Sequence, residues 1–217
     1  MAIASKYPIS KLETLSVTSP SFVFARKPIK ALVTLPNAQE LLVYVCHLKS
    51  NRLNEFEYIF DINDNISHKK ALVSKAIEDN LSNTLAQRLH EASALFGDIA
   101  QSQDKPSLLL CDLNDKEFSL SIDALANPQY YDDTSSQELL LYDAYYQHKP
   151  QIYNPHPEAK APKRKPTSYF VGKGNVLDYI FVSKDFKVVD YEVLDAHLQD
   201  NTDGSLLTSD HAQVARS

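Results

Sequence analysis

The sequence predicts an α/β layered sandwich, with helices packed on sheets, and three observations predict it. Segments rich in β-branched and aromatic residues fill the first third of the chain. A long stretch of helical periodicity follows, and apolar strand-like runs return after it.

Residues 21–25, 29–35 and 40–47 read as strands, and Pro36-Asn37-Ala38 between the last two predicts an antiparallel hairpin. From 67 to 101, Leu72, Ala76, Leu81, Leu85, Leu89, Ala92, Leu95, Phe96 and Ile99 recur at helical spacing among charges. This is one long amphipathic helix, or two joined near Asn80. Asp104-Lys105-Pro106 stops it. Residues 107–111 are then continuously apolar after Ser107, the pattern of a strand covered on both faces. Residues 176–183 make another such strand, 188–194 a further one, and 212–215 the start of a last. Between Pro150 and Pro166 lie five prolines, several lysines and almost no aliphatic residue, so 150–166 is expected to be a surface loop inside one fold.

Composition narrows function. With 217 residues, 43% hydrophobic and 23% charged, the chain is sized for a single domain, 1–217. No apolar run approaches the roughly 18 to 20 residues of a membrane span. Met1 to Lys6 carries no basic region followed by an apolar stretch, and the chain reads as cytoplasmic. Cys46 and Cys111 each lie in an apolar run, which favours two reduced thiols over a disulfide framework, and they lack zinc-ligand spacing. Only 4 glycines occur where about 15 are usual, so glycine-rich phosphate loops are excluded. The 28 acidic against 22 basic side chains repel polyanions overall, and contact with nucleic acid requires a local basic face.

Four clusters carry the candidate chemistry. Asp112 and Asn114 leave an apolar strand two residues apart, and period two places both on one face, where they can orient a water and a hard cation. The competing reading is an Asx turn. Asp178 sits in an apolar run and needs a partner, because an unpaired buried carboxylate costs several kcal/mol. Histidine is the natural partner, since the pair fixes the ring tautomer and raises its basicity; a structural Asp accepting backbone N–H groups is the alternative. Asp210-His211 precedes the last apolar segment and supplies such a histidine. Finally, His47 and Lys49 share a face at a strand exit with Arg52 just beyond, a set that can hold an anion or simply meet solvent.

His47-Leu-Lys-Ser, Cys-Asp112-Leu-Asn114-Asp, Leu-Asp178-Tyr-Ile-Phe-Val-Ser and Ser-Asp210-His211 occur in that order, with a long helix between the first two. Together they resemble the endonuclease/exonuclease/phosphatase superfamily over essentially the whole chain. The resemblance implies a four-layer α/β sandwich of two mixed, largely antiparallel sheets flanked by helices. It also implies phosphodiester hydrolysis dependent on Mg2+ or Mn2+, with nucleic acid as the substrate, lipid headgroups or small phosphoesters as the alternative, and a non-catalytic phosphate binder as a third reading. Carried over by motif, Asp112 and Asn114 orient the water and bind the phosphoryl group, and Asp210 with Asp112 ligates the metal. His211, held by Asp178, contacts the phosphate or acts as base, and His47 donates to a phosphate oxygen or assists the leaving group. Lys49, Arg52 and Asn114 bind substrate.

Three departures from the family pattern bear on these expectations. The family's early Asn strand and its Gln-Glu metal ligand do not precede Met1, so the chain is expected to begin inside the domain, N-terminally truncated by roughly a hundred residues. Such a truncation exposes sheet edges and favours self-association. The last strand stops early, at Ser217, and Cys111 replaces the usual glycine before Asp112. Nucleic-acid phosphates are also a possible target for the basic run Lys160-Ala-Pro-Lys-Arg-Lys165, against the alternative of a solvated linker.

Overall fold

The computed structural model describes residues 1–15, 23–50, 60, 63–81, 83–131, 141–148, 164–170, 173–196 and 211–216. Its strands are β1 (Ile9–Glu13), β2 (Ile29–Thr34), β3 (Glu40–His47), β4 (Ser107–Asp112), β5 (Tyr142–Asp143), β6 (Ser168–Phe170), β7 (Lys173–Asn175), β8 (Asp178–Val182), β9 (Tyr191–Leu194) and β10 (Gln213–Arg216). Its helices are α1 (Ile66–Glu78), α2 (Asn83–Ala100), α3 (Leu120–Ala126) and α4 (Ala144–His148). One sheet of order β1-β2-β3-β4-β8-β5 forms the frame. Every pairing in it is antiparallel except β3 with β4. The small sheets β10-β9 and β6-β7 accompany it.

The hairpin forms where expected, with β2 against β3 and Ala38 at φ 63° in the turn. Residues 23–25, by contrast, are not in a strand, and 21–22 lie outside the described residues. The helical stretch is two helices. Asn65 caps α1 by accepting the His68 N–H at 2.8 Å. Asn80 then turns left-handed at φ 59°, a conformation asparagine tolerates, and the Leu81 N–H closes on the Ala76 carbonyl at 2.9 Å.

Strand periodicity sorts the core. Leu109 and Cys111 of β4, Tyr179 and Phe181 of β8, and Leu42, Tyr44 and Cys46 of β3 face α2 and α3, burying Ala92, Leu95, Ile99, Ala124 and Leu125 with them. Leu108, Leu110, Ile180 and Val182 point to the opposite face, against Ala144, Tyr145, Tyr191 and Val193. Thus β4 and β8 are covered on both sides, which explains their unbroken apolar runs. The result is a mixed sheet flanked by helices, the predicted fold class.

The cysteine expectation fails. Cys46 and Cys111 are register partners in the parallel β3–β4 pair, their Cα atoms 4.7 Å apart, and they form a disulfide. A separation of 65 residues hid this adjacency, because only the strand pairing creates it.

The basic run is mostly outside the described residues, but its end is not. Arg164 is buried, with Nη1 2.7 Å from Asp143 Oδ2 and its guanidinium against the rings of Tyr145, Tyr179 and Tyr191. Arg164 is therefore unavailable to a polyanion, while Lys165 beside it is exposed.

Candidate active site

The carboxyl ends of β3 and β4 and the start of β8 lie side by side. His47 is the register partner of Asp112, and Asp112 is the partner of Asp178, so three of the candidate side chains stand in one row across three strands. Parity puts them on the face opposite α2, because Cys46 and Cys111 point toward the helices and the next residues point away. The His47 Nε2 is 3.3 Å from Asp112 Oδ2. His211, brought in by an isolated bridge between Ser168 and His211, places Nδ1 2.8 Å from Asp178 Oδ2. The histidine partner expected for Asp178 is thus at hand, although Asp178 opens its strand and is only partly buried.

Asn114 does not reach this row by strand period. It stands beyond the end of β4 at φ 50°, its N–H donating to Asp112 Oδ1 at 2.9 Å, so an Asx turn exists here together with the cluster. Its Nδ2 donates to the Leu48 carbonyl at 3.1 Å, and the Leu48 N–H donates to the Asp112 carbonyl at 2.9 Å. Lys49 likewise lies past the end of β3, so alternation does not place it with His47. Its N–H donates to Glu91 Oε2 at 2.7 Å. Arg52 and Asp210 fall outside the described residues.

Sequence reasoning missed the groups that hold these loops. Arg26 donates through Nη1 to the Leu48 carbonyl at 2.8 Å and brings a positive charge to the His47 side. From α2, buried Glu91 accepts the N–H groups of Ala25 and Lys49, while buried Arg88 donates to the Lys49 carbonyl and stands 3.3 Å from Asp115 Oδ2. A charged pair three residues apart within an otherwise apolar helical stripe was the available signal.

Burial and mutual charge tune the row. Burial holds the His47 imidazole below its usual pKa, reinforced by Arg26 and opposed by Asp112. The Asp112 carboxyl is pushed up by burial and by Asp178, against the Asn114 N–H. An imidazole that resists protonation therefore faces a carboxyl that holds its proton more tightly than usual. Ligand atoms of Asp112, Asp178 and His211 all lie within 4.8 Å of one another. Two half-buried carboxylates beside an imidazole would fit one divalent cation.

With that geometry in place, the sequence profile of the Endonuclease/Exonuclease/phosphatase family matches residues 1–211. The chain belongs to this family. No curated protein matches it. Among solved structures, it is similar to a family member from Bacteroides thetaiotaomicron at 15% identity and TM-score 0.53, covering 96% of this chain and 64% of that one. Truncated Caenorhabditis elegans TDP2 gives 10% identity and TM-score 0.56, covering 98% and 66%. D. rerio TDP2 complexed with a single-strand DNA product gives 13% identity and TM-score 0.50, covering 96% and 66%. At these identities the likeness is one of fold, and the chain spans about two thirds of the length of the structures it matches. No helix among the described residues is long and apolar enough to cross a membrane.

Proposed function

We propose that this chain is a divalent-metal-dependent phosphodiester hydrolase acting on nucleic acid by in-line attack of water. The observation that carries the reading is the row His47–Asp112–Asp178 across three adjacent strand ends, with His211 docked on Asp178. Asp112 and Asp178 would hold the cation, which would supply positive charge to a phosphoryl oxygen and to the attacking water. Asp112 would accept the water proton. The water oxygen bonds to phosphorus, the ester P–O bond breaks, the leaving oxygen takes a proton from solvent, and Asp112 returns the water proton to solvent. His47, 3.3 Å from Asp112, orients that carboxylate. His211 faces the phosphoryl oxygen, its ring fixed through Nδ1 by Asp178. Asn114 is held at the same strand exit by its left-handed turn, with its remaining amide capacity available to the phosphoryl group. Positioning and charge carry phosphoryl transfer with little covalent chemistry from the protein, and this row provides both.

Single-stranded DNA is the first substrate to test, because the structurally similar D. rerio TDP2 holds a single-strand DNA product. The experiment measures hydrolysis of single-stranded DNA, RNA, sphingomyelin and a sugar phosphate with Mn2+ or Mg2+ against chelator. Metal-dependent cleavage of DNA or RNA that is lost in Asp112→Ala and in His211→Ala supports the proposal. Cleavage confined to sphingomyelin or the sugar phosphate replaces the substrate class, and activity surviving both substitutions removes the assigned site. No turnover on any of the four leaves phosphate binding alone.

A further inference from the structure

Thr167 lies next to the proline that ends the proline- and lysine-rich segment, yet it is fully buried, at 0% exposure. Its hydroxyl and its carbonyl both bond segments that carry site residues. Its Oγ1 accepts the backbone N–H groups of Leu177 and Asp178, both at 3.0 Å. Its own N–H donates to the Asn175 carbonyl at 2.9 Å, and its carbonyl accepts the Ala212 N–H at 2.6 Å. The next residue, Ser168, makes the bridge to His211. One residue is thereby bonded through its side chain to the backbone of Asp178 and through its main chain to the neighbour of His211.

Asp178 and His211 are 33 positions apart in sequence, and their 2.8 Å contact requires both backbones to be held to within a few tenths of an ångström. A hydroxyl has two acceptor lone pairs, and here two N–H groups fill them. We infer that Thr167 is a positioning residue, whose hydroxyl and carbonyl set the distance between Asp178 and His211 and so fix the His211 tautomer. The inference rests on the reading of that pair as part of the active site. The chemistry implied for His211 is an Nδ1–H donated to Asp178, with Nε2 as the nitrogen that carries no proton. Removing the hydroxyl at constant size leaves two part-buried amides without this acceptor and lets the start of β8 shift.

The test is the ¹H–¹⁵N long-range spectrum of the His211 ring at about pH 8, where an ordinary imidazole is neutral, in the unaltered chain and two variants. The unaltered chain and Thr167→Ser are expected to show one Nδ1–H tautomer, and Thr167→Val a mixture of the two. A folded Thr167→Val that keeps the single tautomer overturns the inference, as does a folded Thr167→Ser that loses it. Should Thr167→Val fail to fold, amide hydrogen exchange in the unaltered chain decides together with Thr167→Ser. Leu177 and Asp178 amides protected like those in the centre of β8 support the inference, and free exchange at both overturns it. Hydrolysis is not a readout here. A chain that cleaves nothing would count against the proposed function and leave this inference standing.

Discussion

Asp178 shows why a single residue decides so much at this site. It accepts from His211, is the register partner of Asp112, and adds the charge that helps raise the Asp112 carboxyl. Asp178→Asn keeps the shape and removes that charge, so the rate of phosphodiester hydrolysis is expected to fall roughly 10²- to 10⁴-fold with the fold intact. Steady-state kinetics checks this, and an unchanged rate would contradict the role. A second residue gives a pH signature. Burial pushes the Glu117 carboxyl up, outweighing Arg164 at 3.9 Å and the Tyr146 hydroxyl that donates to it at 3.0 Å. The folded chain then holds this proton more tightly than the unfolded chain, so stability falls as pH rises from the ordinary value of 4.5 through the raised one. Urea midpoints of Glu117→Gln should vary less with pH over that interval and lie above those of the unaltered chain beyond it. Parallel curves would contradict the assignment.

Elements set how these residues meet. The apolar runs 107–111 and 176–183 announced strands covered on both faces, and the structure buries both faces of β4 and β8. The order of the strands was not legible, because apolar patterning says which face is buried and nothing about which neighbour is paired. Hence His47, Asp112, Asp178 and His211 were identifiable as strand-end residues, while their alignment in one row, and the joining of Cys46 to Cys111, required the β3–β4–β8 register. Thr167, Arg26 and Glu91 act largely through backbone groups of other segments, and no periodicity in the sequence marks such contacts. The disulfide closes a separation of 65 residues, and replacing both cysteines by serine is expected to cost up to about 4 kcal/mol of stability. The intact mass without reductant should be two hydrogens below that of the reduced chain. A mass equal to the reduced chain would show that the cross-link does not form.

At the scale of the whole molecule, the charge of -6 and the buried Arg164 turn the balance away from a broadly cationic surface. In the proposed function the phosphodiester approaches the strand-end row, where the cation would offset the two carboxylates and leave the row without net negative charge. Binding and turnover are therefore expected to depend on the same ion. The architecture supports this economy, since one sheet brings three of the groups to adjacent strand ends and Ser168 brings the fourth through its bridge. The most direct test of the account is a calorimetric titration of Mn2+ into the chain and into Asp112→Ala. The account predicts one bound Mn2+ per chain, with affinity weakened at least about tenfold in the variant, as expected when a metal ligand is lost. No Mn2+ binding by the chain, or equal affinity in the variant, would contradict it.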